Sequence, residues 1–207
     1  MSDDRHGLAI AFKEFIQNPD FPCVGAKVAL AKSHIDILIA RDIASAWDDL
    51  RIYPALLQFV SAYRKNPGLF RSFAVIFEEA TPLSEKAFEK HLWERVQSLS
   101  DKDEFNALPY DQRVSADPDD PHFSLSFGGE AFFVVGLHPN ASRPARRFKA
   151  PVLVFNLHDQ FERLRAEGRY KKMHDTIMKR DVALAGHPNP MLQHLAKRQR
   201  RGNTADG

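Results

Sequence analysis

HFSLSFGGEAFFVVGL, residues 122–137, decides the fold. Two apolar runs, HFSLSF and EAFFVVGL, flank Gly128-Gly129, and paired glycines between such runs mark a tight β-hairpin. Toward the C-terminus, FKAPVLVFNL (148–157) reads as a further strand. From His158 the pattern turns helical, through Phe161 and Leu164, then Tyr170, Met173, Ile177 and Leu184. Met191, Leu192 and Leu195 continue it beyond the turn Gly186-His187-Pro188. Toward the N-terminus, Leu8, Phe12, Phe15 and Ile16 recur at helical spacing until Asn18-Pro19-Asp20. IDILIARDI (35–43) and FRSFAVIFEE (70–79) read as strands. Between them a helix is expected from about Ile43 to Lys65, interrupted near Pro54. Thr81-Pro82-Leu83-Ser84 opens another, with Phe88, Leu92, Val96 and Leu99 on one face and an end near Ser100. Hairpin-linked strands between outer helices predict one α+β domain over residues 1–196, a mostly antiparallel sheet with helices packed on it. Residues 197–207 are expected to form a basic, disordered tail.

The 207 residues are 43% hydrophobic and 27% charged, with 13 Pro and 10 Gly, which excludes collagenous, mucin-like and disordered classes. The single Cys23 forbids an intrachain disulfide. MSDDRHGLAI lacks the basic start and apolar run of a signal peptide, and no stretch approaches ~18 apolar residues. A cytoplasmic protein without a membrane partner is therefore expected. Net charge is +2, from 29 Lys and Arg against 27 Asp and Glu, so nucleic-acid binding is not expected from the total. The basic segments RPARRFK (143–149) and KRQRR (197–201) keep an interaction protein for anionic partners as an alternative.

Glycine-rich phosphate loops, paired-cysteine zinc spacing, His-Glu-x-x-His and Gly-x-Ser-x-Gly are missing. Three settings remain. In FPCVGAK (21–27), Pro22 fixes the chain before Cys23 and Gly25 removes bulk beside it, so a flat cofactor could approach the sulfur. A helix starting at residue 24 would favour the thiolate, whereas a free cysteine is also an ordinary buried hydrophobe. In the second setting a strand delivers His138 to the sheet's end, and Arg143, Arg146 and Arg147 follow it. Those arginines could equally pair with surface carboxylates. In the third, Asn156 and His158 lie just past an apolar strand, and Asp159, Glu162 and Arg165 begin a helix. Arg180-Asp181 reads as an ion pair and Gly186-His187-Pro188 as a helix break.

FPCVGAKVA (21–29), FSLSFGGEAFFVVGLHPNASRPARRF (123–148) and VFNLHDQFERLRAEGRY…IMKRDVALAG…NPML (154–192), in this order and spacing, resemble the YqcI/YcgG family over roughly residues 20–195. The resemblance implies heme b. The family includes heme-dependent N-hydroxylases acting on the guanidine group of arginine-like amino acids, in the guanitoxin and D-cycloserine pathways. It therefore implies a monooxygenase using a small-molecule substrate, O2 and an electron donor, with a homodimer left open. Under that premise Cys23 and His138 compete as axial and metal ligands and as catalytic groups. Arg143, Arg146 and Arg147 would pair with the propionates. Asn156 and His158 would complete the cofactor site, and Glu162, Asp159 or Asp181 would receive a guanidine substrate. Family members continue past NPML to a Tyr-Ser-Gly-Arg segment, where this chain runs LQHLAKRQRRGNTADG. That departure keeps a heme-binding sensor or carrier without turnover as an alternative.

Overall fold

Alternation of side chains along the strands sends two apolar surfaces to opposite sides of one sheet, and the helices divide between them. The computed structural model describes residues 6–79 and 83–188. Helices α1 (Gly7–Gln17) and α2 (Val24–Ala31) precede strand β1 (Ile35–Ala40). Helix α3 (Asp49–Lys65), strand β2 (Ser72–Phe77) and helix α4 (Glu85–Phe105) follow. Strands β3 (Leu125–Phe127) and β4 (Glu130–Leu137), a 3-10 turn at Pro144–Arg146 and strand β5 (Val152–Leu157) lead into α5 (His158–Ala166) and α6 (Tyr170–Ala185). The result is a single α+β domain around a five-stranded sheet in the order β1-β2-β5-β4-β3.

The hairpin forms as its glycines require. Gly128 and Gly129 take φ of 59° and 77°, and Phe127 pairs with Glu130 across the turn. Antiparallel pairing continues through β4·β5 and β2·β5, but β1 and β2 run parallel. The sheet is thus mixed, because α3 carries the chain back across the sheet between β1 and β2 and a crossover of that kind joins parallel strands.

Three expected boundaries move. Helix α3 begins at Asp49 rather than near Ile43, and it passes through Pro54 unbroken. The N–H that Pro54 lacks would have reached the carbonyl of Leu50, which is 70% exposed and open to solvent. Helix α4 runs past Ser100 to Phe105, where Asn106 caps it by donating its side-chain amide to the Lys102 carbonyl at 2.6 Å. Ser84 starts α4 as expected, accepting from the Ala87 N–H at 3.2 Å. The positions Met191, Leu192 and Leu195, and the tail 197–207, lie outside the described residues. Among the described residues no helix is long and apolar enough to cross a membrane.

Ile35, Ile37 and Ile39 of β1, Ala74 and Ile76 of β2 and Leu137 of β4 face α1 and α2. Leu38, Phe73, Val75, Phe77, Phe132 and Phe155 face α3 and α4. The period of two that defines a strand therefore decides which residues can reach any site on either side.

Candidate functional site

The α1/α2 face does not close. Between it and the helices α5 and α6 lies a cavity of about 280 Å3, close to the lower end of the roughly 300–1,000 Å3 of ligand pockets. Val135, Leu137 and Val154 floor it, Phe161 and Leu164 of α5 and Met173 and Ile177 of α6 wall it, and Cys23 stands at one side. A neighbouring hollow of about 430 Å3 shares Gly25, Phe70, Leu164 and Met173 with it. Phe70 holds φ at 61°, a strained setting for a bulky residue and the kind of backbone that concentrates at ligand sites.

Cys23 is the N-cap of α2, and its sulfur accepts from the Ala26 N–H at 3.5 Å. It is half-buried. Burial pushes its thiol up, outweighing the downward pull of the Ala26 and Gly25 N–H groups. Burial around the sulfur thus works against the thiolate that the helix start alone would favour. The space that Gly25 leaves is taken by Phe70: a Cβ at Gly25 would sit 3.4 Å from that ring.

His138 does not join Cys23. It shares its strand face with Gly136, whose missing Cβ makes room for Phe88 and Leu92 of α4. The imidazole stacks on Phe88 with ring centroids 4.4 Å apart, is 2% exposed, and has no hydrogen bond at Nδ1. Burial holds its pKa below the ordinary value, partly opposed by Glu85. The two proposed iron ligands lie on opposite faces of the sheet.

The arginine cluster also separates. Arg143 is buried, paired with Asp181, and donates to His187 Nδ1 at 2.9 Å and the His187 carbonyl at 3.1 Å. Arg147 donates to the Ala141 carbonyl at 2.7 Å and the Ser142 carbonyl at 2.9 Å, closing its own loop. Arg146 alone of the three lines the cavity. Burial lowers its pKa, with the Asp181 carboxylate pulling the other way.

Of the remaining candidates, Asn156 sits on the cavity floor and accepts from the Ser72 hydroxyl at 2.8 Å. His158 packs beside Phe133, 4.8 Å between centroids, and is not on the wall. Glu162 pairs with Arg165 and lies 3.8 Å from His158. Asp159 accepts from the Tyr63 hydroxyl, which burial and that carboxylate push up to about 12, and lies 3.5 Å from Arg113. Neither carboxylate reaches the cavity, whereas Asp181 does.

Gln160 was not anticipated. It is buried on the wall and bridges to the residue just before β2 by donating to the Arg71 carbonyl and accepting from the Arg71 N–H, both at 2.6 Å. Its alternation with Phe161 at the start of α5 carried no distinguishing signal. Among the described residues no group of three or more His, Cys, Asp and Glu could hold a metal ion. A metal held largely by a macrocycle needs only one such donor from the chain.

The model of the YqcI/YcgG family matches residues 12–203. The chain belongs to the YqcI/YcgG family. The matched span includes the Cys23 loop, the hairpin and both cavity-walling helices, so the cavity of this YqcI/YcgG member is built from family sequence throughout. No curated protein and no solved structure matches the chain.

Proposed function

We propose that the cavity holds a heme bound through Cys23, and that the protein hydroxylates a nitrogen of a small guanidine-bearing amino acid using O2 and a separate electron donor. The observation that carries this reading is the placement of Cys23. The chain's one thiol stands at a helix start on the wall of a largely apolar cavity in a YqcI/YcgG member.

The donor set suits the group. Sulfur is a soft ligand, and a coordinated thiol is deprotonated outright, so binding would release the proton that burial makes the thiol hold. The walls are largely apolar, and Met173, which lines both hollows with Phe70, is a flexible chain able to move aside. Arg146 is the guanidinium on the wall that could meet a carboxylate edge. When bound through a thiolate, heme supplies oxygen activation that favours O–O cleavage. Cys23 would donate the sulfur, Asn156 on the floor would offer a polar group to a substrate, and Gln160, held by Arg71 at both ends of its amide, would fix the wall beside them.

A second reading, a heme sensor or carrier without turnover, is favoured by one observation. The carboxylate on the wall, Asp181, is already paired with Arg143, so a guanidine substrate would have to displace that partner.

The ferrous CO spectrum of wild type, Cys23→Ala and His138→Ala tests both readings. A red-shifted band lost only in Cys23→Ala is expected. An unshifted band lost only in His138→Ala would transfer the ligand role, and no band in any variant would remove heme. Incubation with arginine-like compounds then separates the two readings by a product heavier by one oxygen.

A further inference from the structure

Arg180 and Asp181 are consecutive on α6, yet each is tied to a different wall of the cavity. Asp181, 4% exposed, binds Arg143 and so holds the turn that carries Arg146. Arg180 reaches the other way. Its Nη2 donates to the carbonyls of Pro19 and Phe21, the latter at 3.1 Å. Both carbonyls belong to the link between α1 and α2, four and two residues before Cys23. Lys27, one turn into α2, donates to the Gln17 and Asn18 carbonyls at the end of α1, and lies close enough to Arg180 to be affected by its charge.

Carbonyls past a helix end have no partner within the helix, and two cations supply them here. Lys27 fixes the part of the link nearest α1. Arg180 fixes the part nearest Cys23, and it does so from the helix that walls the cavity opposite.

We infer that Arg180 is the positioning residue for the Cys23 sulfur, and that the Arg180-Asp181 step makes α6 a two-armed clamp, one arm on the sulfur loop and the other on the arginine loop. The inference rests on reading Cys23 as the working group of the site. The clamp itself is independent of heme, because the chain has one cysteine and a thiol reagent reports on that residue alone.

The test is the rate of Cys23 alkylation by iodoacetamide at fixed pH, followed by intact mass on the ligand-free protein. Wild type is compared with Arg180→Ala, Arg180→Lys, Asp181→Asn and the exposed control Lys171→Ala. Losing two charge-assisted hydrogen bonds should open the loop enough to speed alkylation about tenfold in Arg180→Ala. Arg180→Lys, which keeps one donor and the charge, should fall between that variant and wild type. Asp181→Asn and Lys171→Ala should stay within about twofold of wild type, because neither touches the sulfur arm. An unchanged rate in Arg180→Ala overturns the inference. So does an equal acceleration in Asp181→Asn, which would mean general loosening of α6. If Arg180→Ala does not fold, Arg180→Lys carries the same test, a wild-type rate overturning the inference. With heme added, the red-shifted CO band should convert to an unshifted one in Arg180→Ala and persist in Asp181→Asn. A missing CO band in wild type would remove the heme reading and leave the alkylation result standing.

Discussion

On the α3/α4 face, Phe73, Phe127, Phe132 and Phe155 interlock with ring centroids 5.7–6.2 Å apart. On the other face the same strands present Ile, Val and Leu to a hollow that α5 and α6 roof without filling. Charge follows the same division. Behind the aromatic face, Asp49 is nearly inaccessible but receives Arg95 at 3.0 Å, Lys102 at 3.2 Å and the Ser98 hydroxyl. Asp103 there accepts from the Tyr53 hydroxyl at 2.7 Å and the Gly128 N–H at 2.6 Å. Beside the hollow, the Arg146 guanidinium is met by the field of Asp181, whose carboxylate is already paired with Arg143. One face is packed for stability and the other keeps room beside a cation whose nearest carboxylate is shared, which is how a binding site differs from a core.

The largest effect should come from opening the closed face. Phe155→Ala removes a fully buried ring that three other phenylalanines touch, and should cost about 3–5 kcal/mol. A urea midpoint that falls with an unchanged m-value would check it. Next is Gly136→Ala, an overpacking on the same side. The new Cβ would lie 2.5 Å from the Phe88 ring and 2.8 Å from Leu92, so the strand or α4 must shift, at about 1–3 kcal/mol. A thermally neutral Gly136→Ala would show that α4 rides loosely on the sheet, and the contrast between the faces would weaken.

The comparison also has a pH arm. Burial lowers the pKa of His138 on the closed face and of His158 at the start of α5. A histidine whose folded pKa is depressed takes up protons more readily when unfolded, so stability falls as pH drops below the unfolded value of about 6.5 and levels off at the folded pKa. Each group can contribute at most about 1.4 kcal/mol per pH unit in that window. His138→Phe, which keeps the stack on Phe88, should flatten the dependence, and denaturation at pH 7 and pH 5 measures it. An unaltered slope would place the titration elsewhere.

The hairpin was legible because Gly128-Gly129 and the apolar alternation are local signals, and the N-cap at Ser84 was legible for the same reason. The parallel pairing of β1 with β2 was not, since strand neighbours are set by where α3 packs and no residue within either strand encodes it. The same gap hid the site. FPCVGAK gave the helix start and its sulfur correctly, but the thiol's protonation depends on what surrounds it in space. Adjacent Leu137 and His138 had to face opposite sides of the sheet if β4 continued to its end, and the period of two contained that information. Reading His138 as a rival of Cys23 for one cofactor set it aside. Arg143, Arg146 and Arg147 looked alike in sequence, and only the turn at Pro144–Arg146 separates the one that lines the cavity from the two that brace its rim.

The smallest effect is expected at Ile177, and it tests the hollow most directly. Ile177 is half-buried and lines the cavity from α6. Truncating a residue in a filled core loses transfer energy and also opens a void, whereas truncating one beside existing space only enlarges that space. Ile177→Ala should therefore lose the transfer part alone, about 1 kcal/mol for a few partly buried methylenes. It should also bind a bulkier apolar probe at least as well as wild type does. A cost as large as that of Phe155→Ala would mean that α6 packs down on the sheet in solution. The two faces would then be alike, and the cavity could not serve as the heme site proposed for it.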